Sequence, residues 1–286
     1  MTPTTAQSLN VATVCMTPNL DPLMSLQRME QVIEEIKQEH PDTRLILFGE
    51  TILGWFYKKG ETQSYQESIA ETIPGPATTT IGRLAQEHDC YISFGLSERA
   101  DGKLFNAQVV ISPEGDVIAK HRKIQIRNKV FTPGAQELVT VDIDGFKTAL
   151  LICADARSPW LLREIRRAKA DIVLASLADY ATSSRLNQLL GTLYDSWIFV
   201  SNRYGAEPPI TWHGLITVTD PWACLHGSSL GRESVLVQKI PCPVPAGLAR
   251  WIRRRCVGLK LIGLAVSYGV ECLGRAIRSR TNKVDS

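Results

Sequence analysis

The sequence predicts an α/β protein made of sheets covered by helices, with some of its strands paired antiparallel. Three observations carry this. Apolar runs of strand length recur along the chain as far as about residue 238. Amphipathic stretches of helical period stand between several of them. Two turn-forming groups, Pro113-Glu114-Gly115-Asp116 and Asp144-Gly145, join neighbouring runs as hairpins.

The elements follow in order. Val11 to Val14 lie in a first strand. Asp21-Pro22 supplies an N-cap and a proline at the first helical position. Leu26, Met29, Ile33 and Ile36 then mark the apolar face of a helix reaching about Glu39, and His40-Pro41 ends it. Arg44 to Phe48 is a buried-type strand running into Gly49-Glu50. A helix is predicted over Thr78 to Glu87 and a strand over Tyr91 to Leu96. Leu104 to Ile111 and Val117 to Ile126 form one hairpin, and Leu138 to Ile143 with Lys147 to Ile152 form another. Ser158-Pro159 opens a further helix by the same cap-and-proline logic. Asp171 to Ala175 is a strand, Ser183 to Leu193 a helix, and Ile198 to Ser201, Leu215 to Val218 and Val235 to Gln238 are strands.

With 286 residues, 44% hydrophobic and 21% charged, the chain can bury a large core and is not a disordered polymer. A net charge of +3 does not suggest nucleic acid. That charge is unevenly placed. Residues 248–286 hold nine Lys/Arg against two acids, a net +7, which leaves the remainder at −4. The composition changes at Pro241-Cys242-Pro243-Val244-Pro245, so the chain divides into a body, 1–240, and a basic, apolar tail, 241–286, expected to be helical. In the tail Leu248, Trp251, Ile252, Cys256, Leu259 and Ile262 recur at mostly helical steps. The apolar run at 257–270 is shorter than the roughly 20 residues that span a bilayer. With Arg253 to Arg255 and Arg275 to Arg280 flanking it, it suits either packing on the body or a second subunit, or lying in an anionic membrane surface. The seven cysteines are odd in number, widely spaced and without a CxxC pair. That pattern disfavours a disulfide framework or a zinc site. The polar MTPTTAQSLN start has no signal-peptide core, and a reducing cytoplasm is the expected compartment.

Three residues stand where chemistry is performed in α/β folds. Cys153 follows the strand TALLI and precedes a helix, at the rim of a sheet. Glu50 ends RLILF and is followed by TILGWFY, apolar on both sides, and desolvation suits a carboxylate to act as a general base. Lys123 lies in IAKHRKIQI, where strand alternation sends Arg122 and Lys123 to opposite faces. Each also has a plain structural reading: a buried cysteine, a surface glutamate at a strand end, and a solvated basic turn. Together they offer a thiol, a base and a cation. Lys123 and the backbone N–H of Ala154 are the candidate donors for an oxyanion. Five histidines, His40, His88, His121, His213 and His226, leave a Cys–His scheme open.

The same stretches resemble the motifs of the nitrilase superfamily of carbon–nitrogen hydrolases, from about Asn10 to Lys239. LFGETILGW is similar to its glutamate motif, GDVIAKHRKIQI followed by FTPGAQ to its lysine motif, and LLICADARSP to its cysteine motif. GLSERADGKLFNAQVVISPEGDVIAKHRK resembles the segment leading to the lysine, and SNRYG with HGLITVTDPWACL resembles a late strand segment. The chain departs from the family pattern at three places. Gly49 stands where a proline usually precedes the glutamate. Trp160 stands where glutamate commonly follows the proline of the cysteine motif. Glu137, the only glutamate between Lys123 and Cys153, comes after the Pro-Gly turn and is not assigned the role of the family's further glutamate.

The resemblance implies a four-layer α-β-β-α sandwich of the nitrilase type that usually forms a homodimer through its helices. It implies Glu50, Lys123 and Cys153 as the catalytic triad, with Asp155 and Arg157 supporting the cysteine loop. It implies two-step acyl transfer on a small amide or nitrile without metal or cofactor. Amide hydrolysis leads because most members of the family act on amides. Nitrile or N-carbamoyl-amide hydrolysis, acyl transfer and a non-catalytic binding role stay open.

Overall fold

The computed structural model describes residues 8–179, 183–241 and 262–273. The strands are β1 (Leu9–Met16), β2 (Thr43–Leu47), β3 (Tyr91–Ala100), β4 (Lys103–Ile111), β5 (Val117–Arg122), β6 (Thr140–Ile143), β7 (Phe146–Ile152), β8 (Ile172–Ser176), β9 (Trp197–Glu207), β10 (Ile210–His213), β11 (Leu215–Thr219), β12 (Leu225–Leu230) and β13 (Ser234–Ile240). The helices are α1 (Pro22–Glu39), α2 (Thr62–Ile69), α3 (Pro76–Glu87), α4 (Pro159–Ala168) and α5 (Ser184–Tyr194).

The strand order β5-β4-β3-β2-β1-β9-β8-β7-β6 divides into two halves at β1 and β9. These two meet over only Cys15↔Asn202 and Met16↔Arg203. The strict period of two in the apolar residues then builds four layers. Val11, Leu45, Leu47 and Val110 of the first half meet Leu150, Ile172, Leu174 and Phe199 of the second, forming the core between the sheets. Their neighbours Ala12, Ile46 and Phe48 face the other way, onto Met29, Ile33 and Ile36 of α1 and Ile81 and Leu84 of α3. Ala149, Leu151, Val173 and Ala175 face Leu161 and Ile165 of α4 and Tyr194 of α5. Each of the larger side chains contributes roughly 1.5–3 kcal/mol relative to leaving it in water. The result is the expected α-β-β-α sandwich.

Local signals act as read. Asp21 caps α1 by accepting from the N–H of Leu23, and Ser158 caps α4 by accepting from that of Leu161. Asp144 and Gly145 both adopt positive φ, the geometry of a tight hairpin turn between β6 and β7.

Several boundaries differ from the sequence reading. The strand expected to reach Ile126 ends at Arg122, because the next backbone donors turn elsewhere. The N–H groups of Ile124 and Gln125 go to the Asp155 carboxylate. β9 runs six residues beyond Ser201, since it leaves the second sheet, touches β1 and continues into a hairpin with β10. The short elements α2, β10 and β12 lacked a sequence signal. β12, LHGSSL, is almost wholly exposed and has no buried face to write an apolar alternation.

In the tail, 262–273 is helical. Glu271 accepts from the hydroxyl of Ser183 at 2.9 Å and pairs with Arg185 at 3.2 Å, fixing this helix at the start of α5. Ile262, Val266, Val270 and Leu273 are each more than 60% exposed. Leu248, Trp251, Ile252, Cys256 and Leu259 lie outside the described residues, as does most of the proline-rich boundary. Among the described residues no helix is long and apolar enough to cross a membrane.

Candidate active site

The segment after β2 stays close to β3: the N–H of Phe48 donates to Ser93 O at 2.8 Å and that of Ile52 to Gly95 O at 2.9 Å. A Cβ on Gly95 would stand 2.5 Å from the nitrogen of Thr51 and 2.8 Å from Cα of Glu50, so only glycine lets the glutamate backbone lie this near. Gly49 serves in place of the family's proline and passes tightly between Leu177 and Asn202. Thr51 then takes a φ of 44°.

This route buries Glu50 completely. Its Oε1 accepts from Lys123 Nζ and from Asn106 Nδ2, each at 2.6 Å, and its Oε2 accepts from the N–H of Ala178 at 2.8 Å. Strand-end position and apolar flanks revealed Glu50. Asn106, on β4, had no such signal in the sequence and is brought in by the pairing of β3 with β4.

Lys123 lies one residue past β5, not within a strand, yet the predicted division of faces holds. Arg122 turns outward to Glu98 at 2.7 Å, and Lys123 turns inward to Glu50. Burial pulls the Lys123 ammonium down, but Glu50, Cys153 and Asp155 outweigh it and hold the group charged, above the usual lysine range.

Cys153 opens a single 3₁₀ turn, Cys153–Arg157, directly after β7. Its φ is 47°, a left-handed conformation that costs a non-glycine residue on the order of 1–3 kcal/mol and gathers at functional sites. Burial first, then the charge of Glu50, push its thiol up to about 12 against the opposing pull of Lys123 and the Ala178 N–H. A thiol held up in this way acts as a nucleophile only where a base takes its proton.

Asp155 is buried and binds His121 Nε2 at 2.9 Å together with the N–H groups of Ile124 and Gln125. It ties the cysteine turn to the segment carrying Lys123. Tyr194 holds the same turn by donating its hydroxyl to the carbonyl of Ala156. Arg157 pairs with Asp179 at 3.1 Å, a partner the sequence did not indicate.

Cys153, Lys123, Ala154 and Arg157 line one cavity of about 270 Å³, together with Asn106, Phe56, Tyr57 and Asp179 among others. Glu50 stands behind Lys123 and Asn106. None of the five histidines lines it; His121 is engaged by Asp155 and His226 by Asp220. Glu137 is exposed and is not part of its wall.

The wall formed by Phe56 and Tyr57 is held by a buried ion pair on β9. Arg203 donates to Thr51 Oγ1 at 3.0 Å and to Gly54 O at 2.6 Å, and it pairs with Glu207. Glu207 Oε2 accepts from the N–H of Phe56 at 2.7 Å and of Tyr57 at 3.4 Å. SNRYG was read as a family-like segment, and its Arg203 carries this clamp.

Comparison with known proteins bears on the fold and the family. Residues 10–207 match the model of the carbon-nitrogen hydrolase family. A hydrolase from the pqqF 5' region of Pseudomonas protegens is 29% identical over 165 residues, covering 56% of this chain and 55% of that protein. A formamidase of Bacillus cereus is 30% identical over 178 residues, covering 60% and 52%. The chain thus spans about half the length of the curated relatives it matches. Among solved structures, an amidase from Nesterenkonia sp. superposes with a TM-score of 0.72 at 18% identity, covering 82% of this chain and 91% of that one. Saccharomyces cerevisiae Nit3, a member of branch 10 of the nitrilase superfamily, gives 0.74 at 21% identity, covering 82% and 90%. The sandwich is that of nitrilase-superfamily structures, and the chain belongs to the carbon–nitrogen hydrolase family.

Proposed function

We propose that this protein hydrolyses the carbon–nitrogen bond of a small carboxamide through an acyl-enzyme on Cys153. The observation that carries the reading is that Cys153 and Lys123 line one small cavity while Glu50, bonded to Lys123, stands buried behind it, in a family whose matched relatives include formamidases. In this reading Glu50 takes the thiol proton as Sγ attacks the carbonyl carbon. Lys123 and the Ala154 N–H stabilise the oxyanion. Glu50 returns the proton to the leaving nitrogen, and ammonia or an amine departs. Glu50 then takes a proton from water, which attacks the thioester. Collapse returns that proton to the cysteine sulfur and releases the acid. Asp155 and Arg157 hold the cysteine turn and make no bond to substrate. Nitriles, N-carbamoyl amides and acyl transfer to another nucleophile use the same three groups.

The test is ammonia release from a panel of amides, nitriles and carbamoyl compounds, with Cys153→Ala as comparison. Release by the parent and none by the variant supports the reading. A panel with no turnover and measurable binding would favour a binding member of the family.

The proposal extends to assembly. Ile262, Val266, Val270 and Leu273 form an exposed stripe on 262–273, and the sequence on both sides of it is basic. Such a face suits a second copy of the chain, giving a homo-oligomer, or an anionic membrane surface reached from the cytoplasm through 248–286. Sedimentation of the full chain and of 1–247, each with and without anionic vesicles in low salt, separates these. Vesicle binding lost on truncation supports the surface role, and dissociation on truncation supports self-association.

A further inference from the structure

The two oxygens of the buried Glu50 carboxylate are used unequally. Oε1 accepts from Lys123 Nζ and from Asn106 Nδ2, each at 2.6 Å. Among the described residues Oε2 accepts from one donor, the N–H of Ala178 at 2.8 Å. A carboxylate has about four acceptor sites, two on each oxygen, so Oε1 is filled and Oε2 keeps one open. Ala178 lines the cavity together with Cys153, and its N–H also draws the Cys153 thiol down. One backbone donor therefore faces both Oε2 and Sγ.

Asn106 is placed for this contact by β4. Gln108, two residues on and on the same face, donates to Ser93 Oγ at 2.9 Å and accepts from Ser176 Oγ at 3.1 Å, away from the cavity. An ionised carboxylate oxygen only accepts, so Asn106 must turn its nitrogen to Oε1. Its own Oδ1 is then buried without a hydrogen-bond partner among the described residues. That is a cost an apolar side chain of similar shape would not carry. Oδ1 is also closed to water, so the nitrogen is the end of this amide that acts on the site.

We propose that Asn106 is a positioning residue for the base: with Lys123 it pins Glu50 Oε1, so that Oε2, on the Ala178 N–H, is the oxygen that takes the thiol proton. The inference rests on the acyl-enzyme reading above. As the S–H bond breaks, its electron pair forms the bond from Sγ to the substrate carbon, and the proton goes to Oε2. Oε1 becomes the carbonyl oxygen of the new carboxyl group and still accepts from Lys123 and Asn106, so no bond around it has to break during the transfer. The same oxygen then hands the proton to the leaving nitrogen and later takes one from water. Without Asn106 the carboxylate keeps Lys123 and Ala178 but loses the third bond that fixes its rotation. Asn106 itself touches neither the thiol proton nor the substrate.

The experiment measures kcat and KM for formamide and propionamide in the parent, Asn106→Leu, Asn106→Ser, Gln108→Leu, Glu50→Gln and the double variant Glu50→Gln with Asn106→Leu. Slow variants are read as single-turnover ammonia release with protein in excess. The expected result for Asn106→Leu is a fall in kcat of roughly 10-fold to 100-fold, the loss of one hydrogen bond to a charged group, with KM little moved. Asn106→Ser, whose short hydroxyl does not reach Oε1, falls in the same way and serves if the leucine variant does not fold. Gln108→Leu removes a buried amide from the same face of β4 and keeps its kcat. In the Glu50→Gln background Asn106→Leu costs nothing further, because a residue acting through the base has no effect once the base is gone. An unchanged kcat in Asn106→Leu and Asn106→Ser overturns the proposal, as does an equal fall in Gln108→Leu. A full-sized fall that persists in the Glu50→Gln background, or one confined to KM, also overturns it and points instead to direct contact between Asn106 and the substrate. Cys153→Ala is assayed in parallel. Turnover surviving in that variant defeats the acyl-enzyme reading itself, whereas an inert Cys153→Ala with normal kcat in the Asn106 variants defeats only the assignment of Asn106.

Discussion

Lys123 Nζ lies 2.6 Å from Glu50 Oε1, and both side chains are shielded from water. A buried carboxylate and a buried ammonium are each costly alone, so each requires the other. Lys123→Met should therefore lose stability as well as turnover. Removing one member of a buried pair costs about 3–5 kcal/mol. Losing an oxyanion donor costs on the order of 100-fold to 1000-fold in kcat. Denaturant titration and steady-state assay check the two effects separately.

The second prediction is a pair of opposite changes. Glu50→Gln removes the proposed base and also removes a negative charge that helps hold the Cys153 thiol up at about 12. Turnover should fall by roughly 100-fold or more. The pH profile of Cys153 alkylation should move to lower pH, because the thiolate no longer meets that charge. Near-normal turnover would show that the base lies elsewhere.

The third prediction concerns the clamp on β9. Arg203→Lys keeps a charge but loses the planar fork that reaches Thr51 and Gly54 at once. The segment from Glu50 to Tyr57 should loosen, with KM rising and kcat falling together. Arg203→Met leaves Glu207 buried without its cation and should cost about 3–5 kcal/mol of stability. A variant that melts normally and keeps its kinetics would show that the wall stands without the clamp.

The fourth prediction is a pH effect on folding. Burial raises the carboxyl of Glu98, but Arg122 and Lys120 outweigh burial and hold it below the usual range. A group lowered by folding stabilises the native state above its unfolded pKa and loses that contribution as pH falls through its folded pKa. Its share of stability should be full above about pH 5 and fade below about pH 4. Glu98→Gln should flatten that part of the stability curve, measured by urea titration across pH 3–7.

Much of this was legible in the chain because periodicity is written in the residues that pack. Leu45 and Leu47 alternate with Ile46 and Phe48 since both faces of β2 are buried, and α1 carries its cap and its apolar stripe in plain sequence. Glu50 and Cys153 stood at the ends of such runs, and Lys123 was read within one. The remainder depends on long-range placement. Asn106, Asp179, Arg203 and Glu207 reach the site through strand pairing and crossover, and no periodicity marks them, although Asn106 and Arg203 lie in segments that resemble the family's. The end of β5 was missed because Asp155, more than thirty residues away, takes the N–H groups a longer strand would have used. The strained φ of Cys153 and Thr51 is likewise a product of the assembled fold.

An acyl-enzyme on Cys153 can be captured during turnover. The protein is mixed with a carboxamide that it turns over, quenched in acid within the turnover time, and read by intact and peptide mass spectrometry. The expected result is an added mass equal to the acyl group, on the peptide containing Cys153, that decays with the rate of acid release and is absent from Cys153→Ala. Ammonia release at full rate from Cys153→Ala, or an acyl adduct on a different residue that forms and decays at the turnover rate, would contradict it.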